Sequence, residues 1–423
     1  MKIACVLLVA AAAAAAHTAR AQDDVYLKRA RAVLASTPLV DGHNDLPWRI
    51  REDKPHPMDV EAYDLRTHVA GMTDFARLKQ GMLGAQFWSV YIPGEIKDSG
   101  FARVQLEQID IARRVIAKYP DRLAWALTAD EVRRVFKTGK IGSLLGLEGG
   151  HAIENSLGAL REYYDMGARY MTLTHNVTLD WADAALDSAK HGGLTPFGKE
   201  VVREMNRVGM LLDLSHVSPG TMSNALDVTE APVIFSHSGA RALVDHPRNV
   251  PDSILKRVPK NGGVVMVPFV TSFVSKDVYA WDLESARRIA ELRRRNPTDT
   301  AAARRDYDAW HQAHPTPTAN LTQVADVIDY VRKVAGVDHV GIGSDFDGIT
   351  DVVVGLEDVS KFPFLFAELA RRGWTDADLR KLAGENVLRV LKRAEQVSAR
   401  LKKERPASIR TIKELDGALP QRP

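Results

Sequence analysis

The sequence predicts a (β/α)8 TIM-type barrel that carries a binuclear metal site at the C-terminal ends of its strands. Short apolar, β-branched runs alternate along the chain with amphipathic, helix-like segments. No G-x-G-x-x-G motif follows the first run, which argues against an open dinucleotide-binding sheet. Most of the runs end in a histidine, an aspartate or a glutamate, and the strand ends of a barrel meet at one mouth.

Residues 1–21 are predicted to be a signal peptide. Lys2 gives a charged start, residues 3–16 form an apolar run, and Ala19-Arg20-Ala21 fits a signal-peptidase site before Gln22. A membrane anchor is the alternative, but the run is short for a membrane span. We therefore expect a bacterial protein exported to the periplasm or the medium, with no stable membrane anchor after cleavage.

Cysteine usage and charge exclude several classes of function. The single cysteine, Cys5, lies inside the predicted signal peptide, so the mature chain would have neither a disulfide nor thiol chemistry. The formal net charge of +3 falls to about +1 without Lys2 and Arg20, and the chain contains no basic tract. We expect no nucleic-acid partner.

Eight apolar runs are predicted to form the barrel strands of one large domain over residues 22–396. They are Leu39–Val40, Leu83–Tyr91, Ile141–Leu147, Tyr170–Thr174, Met210–Leu214, Val233–Phe235, Val264–Phe269 and Val340–Ile342. Eight buried parallel strands separated by helices are typical of a closed barrel rather than a doubly wound sheet.

Helix caps mark several of the intervening segments. Thr128-Ala-Asp-Glu131 is the pattern of a capping box and predicts a helix that ends near Lys137. Ser156 is expected to cap the next helix. Ser218-Pro219 places a cap before a proline at the first helical position.

Two stretches depart from this alternation. Residues 270–320 form an insertion of charged, helix-like sequence with a proline-rich exit at His314-Pro-Thr-Pro317. A charge run is usually a solvated face, but this one follows the seventh strand. We expect part of it to overhang the barrel mouth or to form a subunit contact. Residues 397–423 are predicted to be a polar C-terminal tail.

The strand ends supply candidate metal ligands. His43 and Asp45 stand two positions apart, so an extended backbone directs both to one face, where a single zinc ion could bind them. Later strands end in further histidines and carboxylates: Glu148, His175, His216, His237, Asp345 and Asp347.

Each of these residues alone is more often an ordinary polar side chain or a helix cap. Together, however, the imidazoles and carboxylates from so many strands exceed what one tetrahedral zinc needs. The set indicates two metals, with Glu148 as the natural bridge because a carboxylate has two oxygens to share.

Seven motifs in order along the chain resemble those of the membrane (renal) dipeptidase family. They are His43-Asn-Asp45-Leu-Pro-Trp48, Gly146-Leu-Glu148-Gly, Thr174-His175-Asn176, Asp213-Leu-Ser-His216, Ser236-His237-Ser238, Pro247-Arg248-Asn249-Val-Pro-Asp252 and Gly343-Ser-Asp345-Phe-Asp347-Gly348. The resemblance runs from about Leu39 to about Gln396 and implies a binuclear-zinc dipeptidase on a (β/α)8 barrel.

The resemblance also implies a division of the ligands between two Zn2+ ions per chain. His43 and Asp45 would bind one zinc, His216 and His237 would bind the other, and Glu148 would bridge the two. A metal-bridged hydroxide would then attack the peptide bond of a dipeptide that has a free C-terminal carboxylate.

The same resemblance assigns four residues to the substrate. His175 would contact the scissile carbonyl, Arg248 would hold the C-terminal carboxylate, Asp345 would carry the proton and Trp48 would line the pocket. One departure is Phe273, which stands where the family has a tyrosine, so that a hydroxyl contact would be missing.

Two other functions remain alternatives. Another hydrolase, an N-acyl-amino-acid amidase or a lactonase, could use the same metal site, because one fold hosts many chemistries. A catalytically inactive periplasmic binding protein is the other, but its signature would be a lost ligand, and the motifs are intact. We expect small dipeptides as partners, and a homodimer is left open as an assembly.

Overall fold

Parallel strands close into a barrel in the computed structural model, which describes residues 25–96 and 100–417. The strands are β1 (Leu39–Asn44), β2 (Leu83–Ser89), β3 (Leu123–Trp125), β4 (Ile141–Glu148), β5 (Ala168–Thr172), β6 (Leu211–Asp213), β7 (Ile234–Phe235), β8 (Val264–Val267) and β9 (Val340–Ile342). Strand β1 pairs with β2 and β9, and β2 pairs with β4, which closes an eight-stranded ring. The predicted (β/α)8 fold is confirmed, and each predicted run overlaps one strand of the ring.

Strand β3 lies outside the ring, and the apolar pattern does not predict it. It pairs with the start of β4 through Leu123↔Ile141 and Trp125↔Ser143. Three residues are too few to give a periodic signal, so this strand is defined by the neighbour that it pairs with rather than by its own sequence.

Helices follow the strands and cover the ring. They are α1 (residues 25–36), α2 (Leu46–Arg51), α3 (Phe75–Gln80), α4 (Phe101–Lys118), α5 (Ala129–Phe136), α6 (Leu157–Asp165), α7 (Pro196–Val208), α8 (Pro219–Val228), α9 (Asp252–Leu255), α10 (Val258–Asn261), α11 (Thr271–Val274), α12 (Lys276–Arg295), α13 (Thr300–Ala313), α14 (Leu321–Ala335), α15 (Phe362–Arg371), α16 (Asp376–Arg380), α17 (Asn386–Glu404) and α18 (Ile412–Asp416).

The predicted N-terminal caps are confirmed. The side chains of Thr128, Ser156 and Ser218 each accept a hydrogen bond from a backbone N–H of the first turn of α5, α6 and α8. At α5 the Glu131 carboxylate accepts from Leu127 N at 2.8 Å, one residue before the cap. The reciprocal contact of the predicted capping box is therefore not formed, because it would require Glu131 to accept from Thr128 N instead.

Helix α17 closes the end of the barrel at which the strands begin. Asn386 Nδ2, at its first residue, donates to Val337 O and to Val340 O at the start of β9. A smaller buried cluster joins strand residues such as Leu144 and Met266 to Val387 and Leu391 of α17. The mouth at the opposite end is therefore the open one.

The insertion at residues 270–320 contains α11, α12 and α13. Val270 and Phe273, at its beginning, line the cavity at the barrel mouth that also contains His237. Helices α12 and α13 pack on each other, and α13 buries none of its side chains. The predicted contact with the mouth is thus made by the first turn of the insertion, while the remainder is a charged helical hairpin.

The C-terminal stretch is more ordered than a polar tail. Helix α17 continues across position 397 to Glu404, with Val397 and Leu401 buried. Further on, the Asp416 carboxylate accepts from Thr195 Oγ1 at 2.6 Å and from Phe197 N at 2.9 Å, which ties α18 to the start of α7. The expectation of a polar tail from residue 397 is corrected for residues 397–417.

The predicted signal peptide, with its cleavage point after Ala21, lies outside the described residues. Among the helices within 25–96 and 100–417, none combines the length and the apolar character that a membrane crossing requires.

Gly146 of β4 is a point where packing leaves no space for a side chain. A Cβ there would lie 2.0 Å from Tyr170 Cζ, inside the barrel. Gly146→Ala should therefore lower the free energy of unfolding by about 1–3 kcal/mol, the usual effect of overpacking. Gly158→Ala in α6 is the control, since its Cβ meets nothing closer than 3.4 Å and a helical alanine is favoured. Urea unfolding of both variants tests this, and equal midpoints would contradict it.

Candidate metal centre

The predicted ligand residues of six strand ends meet at one mouth. They follow β1 (His43, Asp45), β4 (Glu148), β5 (His175), β6 (His216), β7 (His237) and β9 (Asp345). All except the fully buried His43 line one cavity of about 700 Å3. Trp48 and Arg248 line the same cavity, so every predicted site residue lies in or directly beside it.

The Glu148 carboxylate lies between two groups of imidazoles. Its Oε2 is 3.3 Å from His43 Nε2. Its Oε1 is 2.9 Å from His216 Nε2 and 3.5 Å from His237 Nε2. Because each oxygen faces a different group of nitrogens, one carboxylate could contact two cations at once.

Three overlapping groups have the composition and spacing of cation sites. They are His43, Glu148 and His237; Glu148, His175 and His216; and His43, Asp45 and Asp345. The structure thus brings His175, which was expected to face the substrate, within reach of a cation as well. Asp347 belongs to none of these groups, and its Oδ1 accepts instead from Met72 N at 2.6 Å.

Hydrogen bonds on the far side of the imidazoles orient their ring nitrogens. His216 Nδ1 lies 3.0 Å from Asn176 Oδ1, an acceptor, and His237 Nδ1 lies 2.8 Å from Ser236 Oγ. His43 Nδ1 lies 2.8 Å from the Tyr170 hydroxyl. Such outer partners normally set the tautomer of a metal-binding histidine and leave the inner nitrogen free as a ligand.

These outer partners were not predicted as site residues. Asn176 and Ser236 are sequence neighbours of His175 and His237, which is a weak signal. Tyr170 is separated from His43 by 127 positions and gives no local signal at all. Only the closure of the barrel brings such a pair together.

The donor set fits cations in a way that hydrogen bonding does not. His43 Nε2 is 3.2 Å from Asp45 Oδ2, yet it forms no hydrogen bond with any described residue. His216 Nε2 and His237 Nε2 lie only 2.9 Å apart, and both face Glu148 Oε1. Four ligands at about 2.0–2.2 Å around a tetrahedral zinc lie about 3.3–3.6 Å from one another, a little more than these separations.

Burial and neighbouring charges set the protonation of the centre. Burial, with the positive charge of Arg248 adding to it, holds the pKa values of His216 and His237 well below their usual range. Burial would raise the pKa of Glu148, but His43 and His216 hold it well below its ordinary value. Two neutral imidazoles and an ionised carboxylate are the forms that bind a divalent cation.

The pKa values of His43 and Asp345 are raised, whereas those of Glu148, His216 and His237 are lowered. Burial would lower the pKa of His43, but Tyr170 and the carboxylates of Glu148 and Asp45 raise it well above its usual value. Burial raises the pKa of Asp345, and the negative charges of Asp45 and Glu148 raise it further. This side of the site therefore has an excess of negative charge, which a cation would balance.

Three of the seven described non-glycine residues with positive φ lie at the same place. His216, Asp345 and Asp347 have φ values of 65°, 69° and 64°, in the left-handed region that non-glycine residues seldom adopt. Such conformations are retained where the surrounding structure enforces them, often at functional sites. Here they turn the ends of β6 and β9 so that these side chains line the cavity.

Arg248 is a buried cation without an anion. Its side chain is 2% exposed, its Nη1 has no hydrogen-bond partner, and it forms no ion pair within 4 Å among the described residues. Its guanidinium lies 5.2 Å from the centroid of the Phe273 ring. Burial lowers the pKa of Arg248 to about 10, so it stays charged at neutral pH and presents an unmet positive charge beside the cavity.

Comparisons with known proteins agree on one family. The model of the membrane dipeptidase family, peptidase family M19, matches residues 27–405. The probable dipeptidase PvdM from Pseudomonas aeruginosa is 24% identical, with 88% of this chain and 99% of that chain covered and a TM-score of 0.76. A metallo peptidase from Rhodobacter sphaeroides, solved with a phosphinate mimic of L-Ala-D-Ala, is 24% identical, with 85% and 99% covered and a TM-score of 0.70. The M19 dipeptidase AC is 25% identical, with 85% and 98% covered and a TM-score of 0.70.

The purified protein should bind about two divalent cations per chain. Glu148→Gln should weaken the binding of both, because each cation would lose a carboxylate oxygen. Because even an outer-partner change costs about 10–100-fold in metal affinity, loss of this carboxylate should cost more than about 100-fold. Metal analysis after dialysis and calorimetric titration would measure this.

Glu52→Gln is the matched control, since Glu52 is an exposed carboxylate that lines the same cavity outside the three groups. It should retain both cations. A single bound cation together with full activity would contradict the binuclear centre.

Proposed function

Since this chain belongs to the membrane dipeptidase family, peptidase family M19, and is a metal-dependent dipeptidase, we propose that it uses two zinc ions to hydrolyse dipeptides that have a free C-terminal carboxylate. The observation that carries this proposal is the combination of a cation-type donor cluster with the unpaired guanidinium of Arg248 in one cavity. A cavity of about 700 Å3 suits a substrate of a few residues at most.

Zinc is the proposed metal because the described donors are several imidazoles together with carboxylates, a ligand set that zinc binds. His43 and Asp45 would hold one ion, His216 and His237 the other, and Glu148 would contribute one oxygen to each. When bound, the ions would supply a hydroxide nucleophile at neutral pH and polarise the scissile carbonyl.

Arg248 would fix the C-terminal end of the substrate. A guanidinium forms two parallel hydrogen bonds to a carboxylate, and here both charges would be paired in a buried place. A longer peptide has an amide at this distance from the scissile bond, where it would leave the guanidinium unpaired. This requirement would restrict the enzyme to dipeptides.

His175 and Asp345 would handle charge and protons during the reaction. Burial lowers the pKa of His175, so the ring is neutral and donates a hydrogen bond to the developing oxyanion without giving up its proton. One preorganised donor of this kind is worth about 2.7–4 kcal/mol elsewhere. Asp345 would accept the proton of the nucleophile and deliver it to the departing amine.

Aromatic side chains would form the walls of the substrate-binding cavity. The Trp48 and Tyr91 rings lie 4.9 Å apart in an edge-on contact, and Tyr91 lies 4.8 Å from His175. Phe273, which replaces the family's tyrosine, has its ring beside Arg248. We infer that it supports the guanidinium by a cation–π contact where a hydroxyl would have bonded the substrate.

The nearest alternative is an N-acyl-amino-acid amidase or a lactonase on the same centre. An N-acyl amino acid also has a carboxylate for Arg248, so that feature alone does not separate the two. A panel that pairs dipeptides with the corresponding N-acetyl amino acids and with simple lactones should show preference for the free dipeptides. Faster turnover of the acylated compounds or the lactones would replace the dipeptidase assignment.

Capping the C-terminal carboxylate as an amide should nearly abolish turnover. Removing one partner of a buried charge pair costs about 2–5 kcal/mol, which is a factor of about 30 to 5,000 in kcat/KM. Arg248→Ala should lose most of this discrimination between acid and amide. Steady-state kinetics on a dipeptide and its amide would measure both effects.

Two controls make this result specific to Arg248. Its alanine variant should retain the metal content of the unmutated protein, and Arg248→Lys should recover only part of the discrimination, because an ammonium is not a bidentate partner. Equal turnover of acid and amide by the unmutated enzyme would remove Arg248 from substrate recognition.

A further inference from the structure

Asp213, the last residue of β6, is a buried carboxylate that accepts four hydrogen bonds. Its Oδ2 accepts from Ser236 Oγ at 2.6 Å and from Thr172 Oγ1 at 2.5 Å. Its Oδ1 accepts from Ser236 N at 2.8 Å and from Ser215 N at 3.1 Å. It is fully buried and forms no ion pair within 4 Å among the described residues, so these four donors are its direct polar contacts, while Arg248 acts on it from a greater distance.

Ser236 connects this carboxylate to a ligand of the candidate centre. Because Ser236 Oγ gives its proton to Asp213, the oxygen has only lone pairs left for His237 Nδ1, 2.8 Å away. Nδ1 must therefore be the protonated nitrogen of His237. Nε2 then has no proton and faces Glu148 Oε1 at 3.5 Å.

The other two rings at the centre have different outer partners. The partner of His216 is the Asn176 amide, and that of His43 is the Tyr170 hydroxyl. Among the described hydrogen bonds, neither the Asn176 amide nor the Tyr170 hydroxyl has a carboxylate partner. His237 alone among these three rings is thus linked to a full negative charge, through one hydroxyl.

We propose that Asp213 and Ser236 are positioning residues that lock His237 in the tautomer with Nδ1 protonated, so that Nε2 always faces the centre as a metal donor. This rests on the proposed metal centre and adds a role that acts through His237 rather than on the substrate. The charge of Asp213 makes the ring a stronger donor, as a carboxylate does when it bonds a metal-binding histidine directly.

Two variants interrupt the chain of hydrogen bonds from Asp213 through Ser236 to His237 at different points. Ser236→Ala leaves Nδ1 without an acceptor. Asp213→Asn keeps the size of the side chain but offers an N–H to Ser236 Oγ, which frees the hydroxyl proton to be donated to Nδ1 and favours the wrong tautomer of His237. Ser238→Ala is the matched control, because Ser238 follows His237 in the sequence, is equally buried, and its hydroxyl bonds Ser215 at 3.0 Å rather than the His237 ring.

Calorimetric titration with zinc alone should separate the variants. We expect Ser236→Ala to weaken one of the two binding steps by about 10–100-fold, and Asp213→Asn to weaken the same step at least as much. The other step, and both steps in Ser238→Ala, should stay within about twofold. Ser236→Ala and Ser238→Ala with the same affinities would overturn the proposal.

Nitrogen NMR of histidine-labelled protein gives a readout that a purely structural role would not change. In the unmutated protein His237 should be protonated at Nδ1, and in Asp213→Asn the proton should move to Nε2. A His237 protonated at Nε2 in the unmutated protein would overturn the proposal even if Asp213→Asn does not fold. An unmutated protein that binds no cation would instead refute the proposed metal centre itself.

Discussion

The Glu148 carboxylate is the interaction on which the rest of the site depends. It contacts imidazoles from β1, β6 and β7 with two oxygens that face different groups. Buried in this way, it is stable as an anion only because cationic or polar partners surround it. The Ser89 hydroxyl donates to Oε2 at 3.1 Å, and His175 Nε2 lies 3.8 Å from Oε1. The strand ends are therefore arranged around the requirements of one buried charge.

Two further buried carboxylates, Asp41 and Asp213, link neighbouring strand ends by hydrogen bonds. Asp41 in β1 accepts from Ser344 N and Ser344 Oγ, both at 2.7 Å, and thereby ties β1 to the residue that precedes Asp345. Asp213 ties β6 to Ser236 in the same manner. In both places an acid on one strand holds the serine immediately before a site residue on the next strand. The catalytic geometry and the closure of the barrel thus share the same hydrogen bonds.

Local sequence patterns were sufficient to predict the strands of the ring and the polar residues that follow them. A candidate ligand such as His216 stands two positions after an apolar run, so its place at the mouth is a consequence of the strand direction. The partners of these residues were not accessible in the same way, because Tyr170 meets His43 only after the ring closes. The C-terminal helix was missed for a different reason. Charged residues dominate the composition there and obscure the apolar pair Val397 and Leu401, which are four positions apart on one helix face.

The position of α17 has a consequence for when the barrel can fold. The buried cluster inside the ring is completed by residues near the end of the chain, and Asn386 bonds the start of β9. Before α17 has been synthesised, the apolar strand residues that it covers have no packing partner at that end of the barrel. The part of the core that lies between the ring and α17 can therefore form only after residues 387–401 have been synthesised.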